Sequence, residues 1–135
     1  MEFHQGKIFF TKRIVGSSGQ ATVAPISVAP PGSVLLCVRA PVGKVNMTDR
    51  ELCIGRGLCA IVPLGGMSAE FVFRLLEAYE STFVKQASGT TFVSITGAQI
   101  KKQLIPFPPP AEQERIAAKI EKLFVAAEPL RGVLA

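Results

Sequence analysis

The sequence is poor in the residues that usually build metal centres and disulfide frameworks. Its 135 residues include no tryptophan, one histidine and three cysteines. Cys37, Cys53 and Cys59 are odd in number and lack CxxC spacing, and one histidine cannot complete a convincing zinc set. We therefore expect three reduced, mostly buried thiols and no metal site.

The chain also lacks any long apolar run. Its uninterrupted apolar stretches are far shorter than the roughly 18 residues of a membrane span. The start MEFHQGKIFF lacks the basic and then apolar plan of a signal peptide. We therefore expect no membrane association and predict a cytoplasmic protein. Because 48% of the residues are hydrophobic, one folded domain fits this length better than a disordered chain.

Catalytic motifs are absent as well. There is no GxxxxGK[ST] phosphate loop, and GSSG at 16–19 has neither the lysine nor the required spacing. No GxSxG elbow is present, and the carboxylates form no obvious close pair. Glu70, Glu77 and Glu80 are most simply the solvated face of a helix. A noncatalytic binding module is therefore favoured, with a stand-alone hydrolase as the weakest alternative.

Positive charge is concentrated in the first half of the chain. Residues 1–66 hold seven basic and three acidic groups, residues 67–106 hold four and three, and residues 107–135 hold four and four. The net charges are therefore +4, +1 and zero. A basic segment followed by a neutral helical one favours a polyanion-binding part joined to a protein-binding part. On charge alone, a basic face that only maintains solubility is an equal alternative.

The apolar pattern predicts an α+β fold with a mixed, mostly antiparallel sheet. Strands are expected within KIFFTKRIV (7–15), VLLCVRAPVG (34–43), LCAIVPL (58–64) and SGTTFVSIT (88–96). The second of these should be buried on both faces until Arg39 reaches a rim. VGSSGQ (15–20) is expected to be a flexible polar loop.

Helices are predicted from caps and from apolar spacing. Ser68 should cap an amphipathic helix that runs through residues 68–86 and packs on the sheet, with Arg74, Glu77 and Glu80 pointing away. Thr96 should begin a short helix. The apolar face of the longer helix consists of Phe71, Val72, Leu75, Leu76, Tyr79 and Phe83.

A rigid proline joint precedes the last helix in PFPPPAEQERI (106–116). Prolines cannot lie inside a helix but suit its first position. The helix predicted over 111–128 is of coiled-coil type, because its apolar residues are separated by 4, 3, 4 and 3 positions. With fewer than three heptads, packing back on the domain and pairing with a partner helix stay open. The stripe consists of Ile116, Ile120, Leu123, Ala127 and Leu130, and Phe124 widens it.

Three blocks occur in order: GSVLLCVRAPVGKV (32–45), CIGRGLCAIVP (53–63) and SGTTFVSITGAQIKKQLIPFPPPAEQERIAAKIEKLF (88–124). Together they resemble the target-recognition domain of specificity subunits from type I restriction-modification systems. The resemblance implies a noncatalytic DNA reader with part of a recognition domain over 1–107. Residues 108–135 would form the proline-rich joint and the start of a spacer or dimerisation helix.

The resemblance also implies partners. In that family a methyltransferase subunit uses S-adenosylmethionine and a restriction subunit uses ATP and Mg²⁺, so no cofactor is expected on this chain. Each specificity subunit has two recognition domains whose long helices pack antiparallel, whereas this chain has one set of blocks and a short helix. A half-subunit that pairs as a homodimer is one hypothesis. An assembly fragment that binds the methyltransferase subunit without reading DNA is the alternative.

Candidate contact residues follow from charge, flexible loops and the helix stripe. Arginine and lysine suit phosphates, and arginine can also read guanine. The candidates for binding double-stranded DNA are Lys12, Arg13, Ser17, Ser18, Arg39, Lys44 and Arg56. Thr90 and Thr91 could donate to phosphate or serve the structure. The candidate helix and partner interface consists of Gln113, Ile116, Ile120, Leu123, Phe124 and Ala127.

Overall fold

The fold of residues 1–89 and 93–130 is described by a computed structural model. This part of the chain contains short strands and four helices, with single 3₁₀ turns at Lys7–Phe9 and Glu128–Leu130. The strands are β1 (Phe3–His4), β2 (Val28–Ala29), β3 (Val34–Cys37), β4 (Val45–Met47), β5 (Leu52–Ile54) and β6 (Leu58–Ile61). The helices are α1 (Ala69–Ala78), α2 (Glu80–Gln86), α3 (Gly97–Lys102) and α4 (Pro110–Ala127).

The strands form two small sheets. One sheet has the order β4-β3-β6 and is antiparallel throughout. The other has the order β1-β5-β2, in which β1 runs parallel to β5 and β2 runs antiparallel to it. The α+β prediction with mixed, mostly antiparallel pairing is therefore confirmed.

Strand β3 is buried on both faces, as its sequence predicts. Val34 and Leu36 pack in an apolar cluster to which α1 and α2 contribute. Leu35 and Cys37 pack in a second cluster with side chains from β2, β5 and β6. All four are at most 2% exposed, whereas Arg39 is exposed. Each fully buried side chain of this kind contributes about 1.5–3 kcal/mol, so β3 is the centre of the core.

The prediction of a strand over residues 7–15 is wrong. Lys7–Phe9 is a 3₁₀ turn, and only Ile14 forms an isolated bridge, to Met47 of β4. The fully buried Asn46 side chain takes the place of a backbone partner, because its Nδ2 donates to the Thr11 carbonyl (2.9 Å) and its Oδ1 accepts from the Thr11 amide (3.1 Å). A long-range side-chain contact thus replaces the ladder that local β-propensity favours.

The Ser68 cap is confirmed, but the helix that it begins is shorter than predicted. Ser68 Oγ accepts a hydrogen bond from the Phe71 amide (3.2 Å). The expected helix over 68–86 is divided into α1 and α2, which meet at Tyr79. Arg74 does not point into solvent, since its side chain is 12% exposed. Helix α4 packs against α1 and contacts it there.

Helix α4 begins at the proline joint and is tied to α1 by one buried amide. It starts at Pro110, within one residue of the prediction. Gln113 is fully buried: its Oε1 accepts from the Ser68 amide (2.9 Å), and its Nε2 donates to the Pro108 carbonyl (2.8 Å). The side chain therefore satisfies a donor at the start of α1 and an acceptor within the proline run. The last helix packs back on the domain through this end.

The remaining expectations are met in part. Strand β6 ends at Ile61 rather than at residue 64, and of the described residues within 88–96, Ser88 and Ser94 form isolated bridges. Thr90 and Thr91 lie outside the described residues. Thr96 caps α3 with a complete capping box. Among the helices of the described residues, none has the length and apolar content to cross a membrane.

A cluster of charged groups holds the loop at 15–20, which its composition predicts to be flexible. Arg50 donates to both oxygens of the Glu2 carboxylate, at 2.9 Å each, and to the Gly16 carbonyl at 2.9 Å. The Ser18 amide donates to Glu2 Oε1 at 3.0 Å. Since these partners come from distant parts of the chain, local composition carries no signal for the cluster.

The pKa of Glu2 is held well below its ordinary value of 4.5. The hydrogen bonds from Arg50 are the main cause, and His4, whose Nε2 lies 2.7 Å from Glu2 Oε1, adds to them. Because the folded-state pKa is depressed, the stabilisation is complete above the unfolded value and is lost as the pH falls below it.

We therefore expect Glu2→Gln to lower the free energy of unfolding by about 2 kcal/mol near pH 7, as hydrogen bonds to a charged group are lost. The difference from wild type should shrink below about pH 4.5. Urea unfolding at several pH values measures it. Asp49→Asn is the matched control, since Asp49 is exposed and its single contact with Arg50 should be worth less than about 1 kcal/mol. Equal losses for both variants would contradict this account.

Candidate nucleic-acid interface

Three of the predicted DNA contacts meet at one cleft. Lys12 and Arg13 come from the segment before Ile14, and Lys44 comes from the β3–β4 turn. They line a cleft of about 640 Å³ together with Arg74 of α1 and side chains of α2 and α4. The structure therefore brings these residues together, although they are separate in sequence.

Each of these three cations is paired with a glutamate. Lys12 Nζ lies 3.4 Å from Glu128 Oε1, and Lys44 Nζ lies 2.7 Å from Glu80 Oε1. Arg13 forms an ion pair with Glu70 of α1. Since the partners lie on or directly after the helices, the cleft is close to neutral and its ion pairs join the sheet to the helices. A polyanion would have to compete with these glutamates.

Arg39 and Arg56 lie outside the cleft, on loops at strand ends: Arg39 follows β3, and Arg56 lies between β5 and β6. The Val38 amide donates to the Gly57 carbonyl (3.0 Å), which places Arg39 beside the β5–β6 turn that contains Arg56. Lys7 and Arg39 line a small recess of about 130 Å³ there. Sequence reasoning missed Lys7.

Helix α3 carries two further cations and begins near Arg39. The Ile95 amide donates to the Val38 carbonyl (2.8 Å), and α3 begins two residues later. Its last turn carries Lys101 and Lys102. Arg39 and Ser94 form an isolated antiparallel bridge, so the chain passes beside Arg39 shortly before α3 begins.

We call two groups of cations together the acid-free face: Lys7, Arg39 and Arg56 on the loops, and Lys101 and Lys102 on α3, where Lys102 lines a separate recess with Gln86 of α2. All five side chains are exposed, and within residues 1–89 and 93–130 none of them forms an ion pair. The stretches 3–48, 52–69 and 81–111, which supply the face, contain no Asp or Glu. These acid-free stretches are a sequence signal that would have pointed to Lys101 and Lys102.

The two serines of the predicted loop differ in role. Ser18 is buried, and its Oγ accepts from the Gln20 amide at 3.1 Å. Ser17 is exposed, and its Oγ accepts only a long hydrogen bond, of 3.4 Å, from the Gly19 amide. Ser18 therefore serves the fold, while Ser17 keeps a free surface.

The candidate partner residues of α4 separate into two faces. Gln113 is buried against α1, and Phe124 lies under the Arg74 guanidinium, 4.8 Å from its carbon to the ring centroid. Ala117, which sequence reasoning did not single out, is buried beside them. At about 100° per residue, the stripe of Ile116, Ile120, Leu123 and Ala127 is rotated by about 90° from this domain-facing side. Ile116 and Ile120 are half-buried, and Leu123 and Ala127 are exposed.

The thiols and carboxylates offer no reactive set among the described residues. Burial raises the pKa of Cys37, next to the small recess, to about 11, so this thiol is protonated at neutral pH. No group of three His, Cys, Asp or Glu side chains in this part of the chain could hold a metal ion.

Comparison with known proteins gives one family throughout. The family model described as the type I restriction modification DNA specificity domain matches residues 4–128. The MjaIX specificity subunit, a type I restriction enzyme subunit of Methanocaldococcus jannaschii, is 34% identical over 94 residues, which cover 68% of this chain and 22% of that protein. The putative MjaX specificity subunit of the same organism is 34% identical over 122 residues, covering 90% of this chain and 28% of that protein.

Solved structures agree with this match. The crystal structure of the HsdS subunit from Thermoanaerobacter tengcongensis superposes with a TM-score of 0.85 at 33% identity, covering 99% of this chain and 32% of that one. The type I S subunit from M. genitalium superposes with a TM-score of 0.67 at 20% identity, which supports the fold alone. The chain thus spans less than a third of the curated relatives that it matches.

Gly57 controls the position of the Arg56 turn. A Cβ at Gly57 would lie 2.2 Å from the Gln5 carbonyl oxygen, whereas a Cβ at Gly6 would meet nothing within 4 Å. We expect Gly57→Ala to lower the free energy of unfolding by about 2–3 kcal/mol, because backbone must move. Gly6→Ala should change it by less than about 1 kcal/mol. Denaturant unfolding compares the two, and a tolerated Gly57→Ala would show that this turn is adaptable.

Proposed function

The chain belongs to the family of type I restriction modification DNA specificity domains, and we propose that it is a noncatalytic DNA-reading module of such a system. It would direct methyltransferase and restriction subunits to their target. S-adenosylmethionine, ATP and Mg²⁺ would then act on those partner subunits rather than on this chain. Because its relatives are about three times as long, the module would read one part of a longer target.

The observation that carries the proposal is the acid-free face. DNA binding draws its affinity from cations that replace the counterions of phosphates, and cations already paired with carboxylates contribute less. Arg39 and Arg56 are exposed, unpaired among the described residues and close to each other. Arginine on such a surface can bind phosphate or read the edge of a guanine in the major groove.

The cleft cations Lys12, Arg13 and Lys44 would have a smaller role in DNA binding. Their glutamate partners on the helices offset the attraction to phosphate. Their proposed role is to join the sheet to the helices. Ser17 remains a candidate for a phosphate hydrogen bond.

The exposed stripe of α4 favours pairing with another helix. Helix α4 extends about 27 Å at 1.5 Å per residue, less than the approximately 34 Å between half-sites one DNA turn apart. A second recognition module, from another copy of this chain or from a longer subunit, would have to supply the other half-site. We propose that Ile116, Leu123 and Ala127 form the antiparallel contact with that second helix.

We expect duplex DNA binding to weaken steeply with salt. Replacing Arg39 and Arg56 by alanine should reduce the slope of log K against log salt by about 2, one for each lost phosphate contact. The matched control replaces Lys12 and Lys44, which changes the net charge equally and should leave the slope nearly unchanged. Fluorescence anisotropy with a random-sequence duplex, at salt concentrations from about 50 to about 300 mM, measures the slopes of both double variants.

The opposite result, in which replacing Lys12 and Lys44 reduces the salt slope and replacing Arg39 and Arg56 does not, would indicate that DNA binds at the cleft. Absence of salt-dependent binding in all variants, together with capture of a methyltransferase subunit, would favour the assembly-fragment alternative instead.

Self-association should depend on Leu123. Its side chain is 56% exposed, so Leu123→Asp should leave the monomer folded while weakening a dimer by at least tenfold, since a charge would enter an apolar seam. Ala118→Asp is the control, because residue 118 is exposed on the opposite side of the helix. Analytical ultracentrifugation over a concentration series measures both. A mass that stays monomeric at every concentration would leave pairing to a longer subunit.

A further inference from the structure

The two halves of α4 are held to the domain in different ways. The first half carries the buried side chains Gln113 and Ala117. From Glu121 to the end of the described chain at Leu130, every residue is exposed. The distal half therefore lacks the apolar burial that usually fixes a helix on its neighbours.

Arg74 of α1 supplies a contact of another kind to this distal half. Its Nη2 donates to Glu121 Oε2 at 2.7 Å, and its Nη1 donates to Glu77 Oε1 at 2.9 Å. The guanidinium contacts two rings, with its carbon 5.2 Å from the centroid of Phe73 and 4.8 Å from that of Phe124. Phe73 is fully buried in the core, so the stack connects the core to α4.

This arrangement constrains direction as well as distance. A guanidinium is planar, so its hydrogen bonds and its ring contacts have different preferred directions. Together they restrict both the position of a contacting helix along its axis and its rotation about that axis. The Arg74 side chain is 12% exposed and that of Glu121 is 55% exposed, whereas the neighbouring pair of Lys12 and Glu128 has no shielded member, with side chains 83% and 51% exposed. Exposed pairs of that kind hold geometry weakly.

We propose that Arg74 is a positioning residue, which sets the direction in which the distal half of α4 leaves the domain. The stripe residues Leu123 and Ala127 are thereby held at a defined place relative to the acid-free face. The effect on DNA spacing rests on the proposed function, whereas the effect on helix direction does not.

A small change of direction has a large effect at the helix end. Residues 117–130 extend about 20 Å at 1.5 Å per residue, so a tilt of about 15° moves the end by about 5 Å. That distance is about one and a half base pairs at 3.4 Å per step. A module that spaces two half-sites through this helix therefore needs its direction fixed.

Pulsed electron paramagnetic resonance, which measures the distance between two spin labels, tests the direction of α4 without DNA. The labels are placed at Lys101→Cys on α3 and Lys122→Cys on α4, both exposed positions, in a Cys59→Ala background, since Cys37 and Cys53 are buried. We expect a narrow distance distribution in the otherwise native chain and at least a twofold broader one with Arg74→Ala. Arg74→Lys should lie between them, because lysine keeps the charge and loses the planar stack.

Arg115→Ala is the matched control, since Arg115 lies on α4, forms its ion pair within the described residues with Glu112 of its own helix and should leave the distribution unchanged. Circular dichroism verifies that each variant is folded. If Arg74→Ala does not fold, Glu121→Gln combined with Phe124→Leu removes the same contacts from the α4 side. An unchanged distribution in a folded variant lacking these contacts would overturn the proposal.

A second readout connects the residue to DNA reading. In the assembled two-module complex, duplexes whose half-sites are separated by one or two base pairs more or fewer should bind with more equal affinity in Arg74→Ala. The affinity and salt slope for an isolated half-site should not change. Failure of all duplexes to bind would count against the proposed function only, whereas unaltered spacing preference with a broadened label distance would refute the link between Arg74 and spacing.

Discussion

The burial of both faces of β3 is the constraint on which the rest of the structure depends. A strand without a polar face needs cover on each side, and here the helices cover one side while the second sheet covers the other. Seven of the ten acidic residues lie on the helices or directly after α4. The layering thus separates charge. Among the described residues, the cleft cations Lys12, Arg13 and Lys44 are paired with glutamates on or directly after the helices, whereas Arg39 and Arg56 on the loops beyond β3 form no ion pair.

The proline joint and Arg74 attach α4 to α1 at two places. At the joint, the buried Gln113 amide links the proline run to the first turn of α1. Further along α4, Arg74 contacts Glu121 and the Phe124 ring. Both side chains are shielded from water, since Gln113 is fully buried and the Arg74 side chain is 12% exposed. Gln113 therefore holds the start of the helix, and in its proposed role Arg74 sets the direction further along.

Family membership and the charge distribution give a consistent view of a small DNA reader. The relatives are about three times as long as this chain. Under the proposed function, the unit described here would supply a recognition surface and the beginning of a helix that connects it to an assembly. Both parts meet at α1, whose N-terminus contacts Gln113 and whose middle carries Arg74. Helix α1 thus connects the core around β3 with the helix that would carry partners.

Features whose signals are local could be predicted from the amino-acid sequence. These are the doubly buried β3, the caps at Ser68 and Thr96, and the start of α4 at the prolines, because apolar spacing, cap side chains and proline act within a few residues. The turn at residues 7–9, the place of Arg74 and the division of the cations into a paired and an unpaired set follow instead from tertiary contacts. Each of these depends on a partner tens of residues away, such as Asn46 for Thr11 or Glu121 for Arg74. A basic residue gives the same local sequence signal whether or not the fold pairs it with a carboxylate. Its role therefore depends on which groups the fold places beside it.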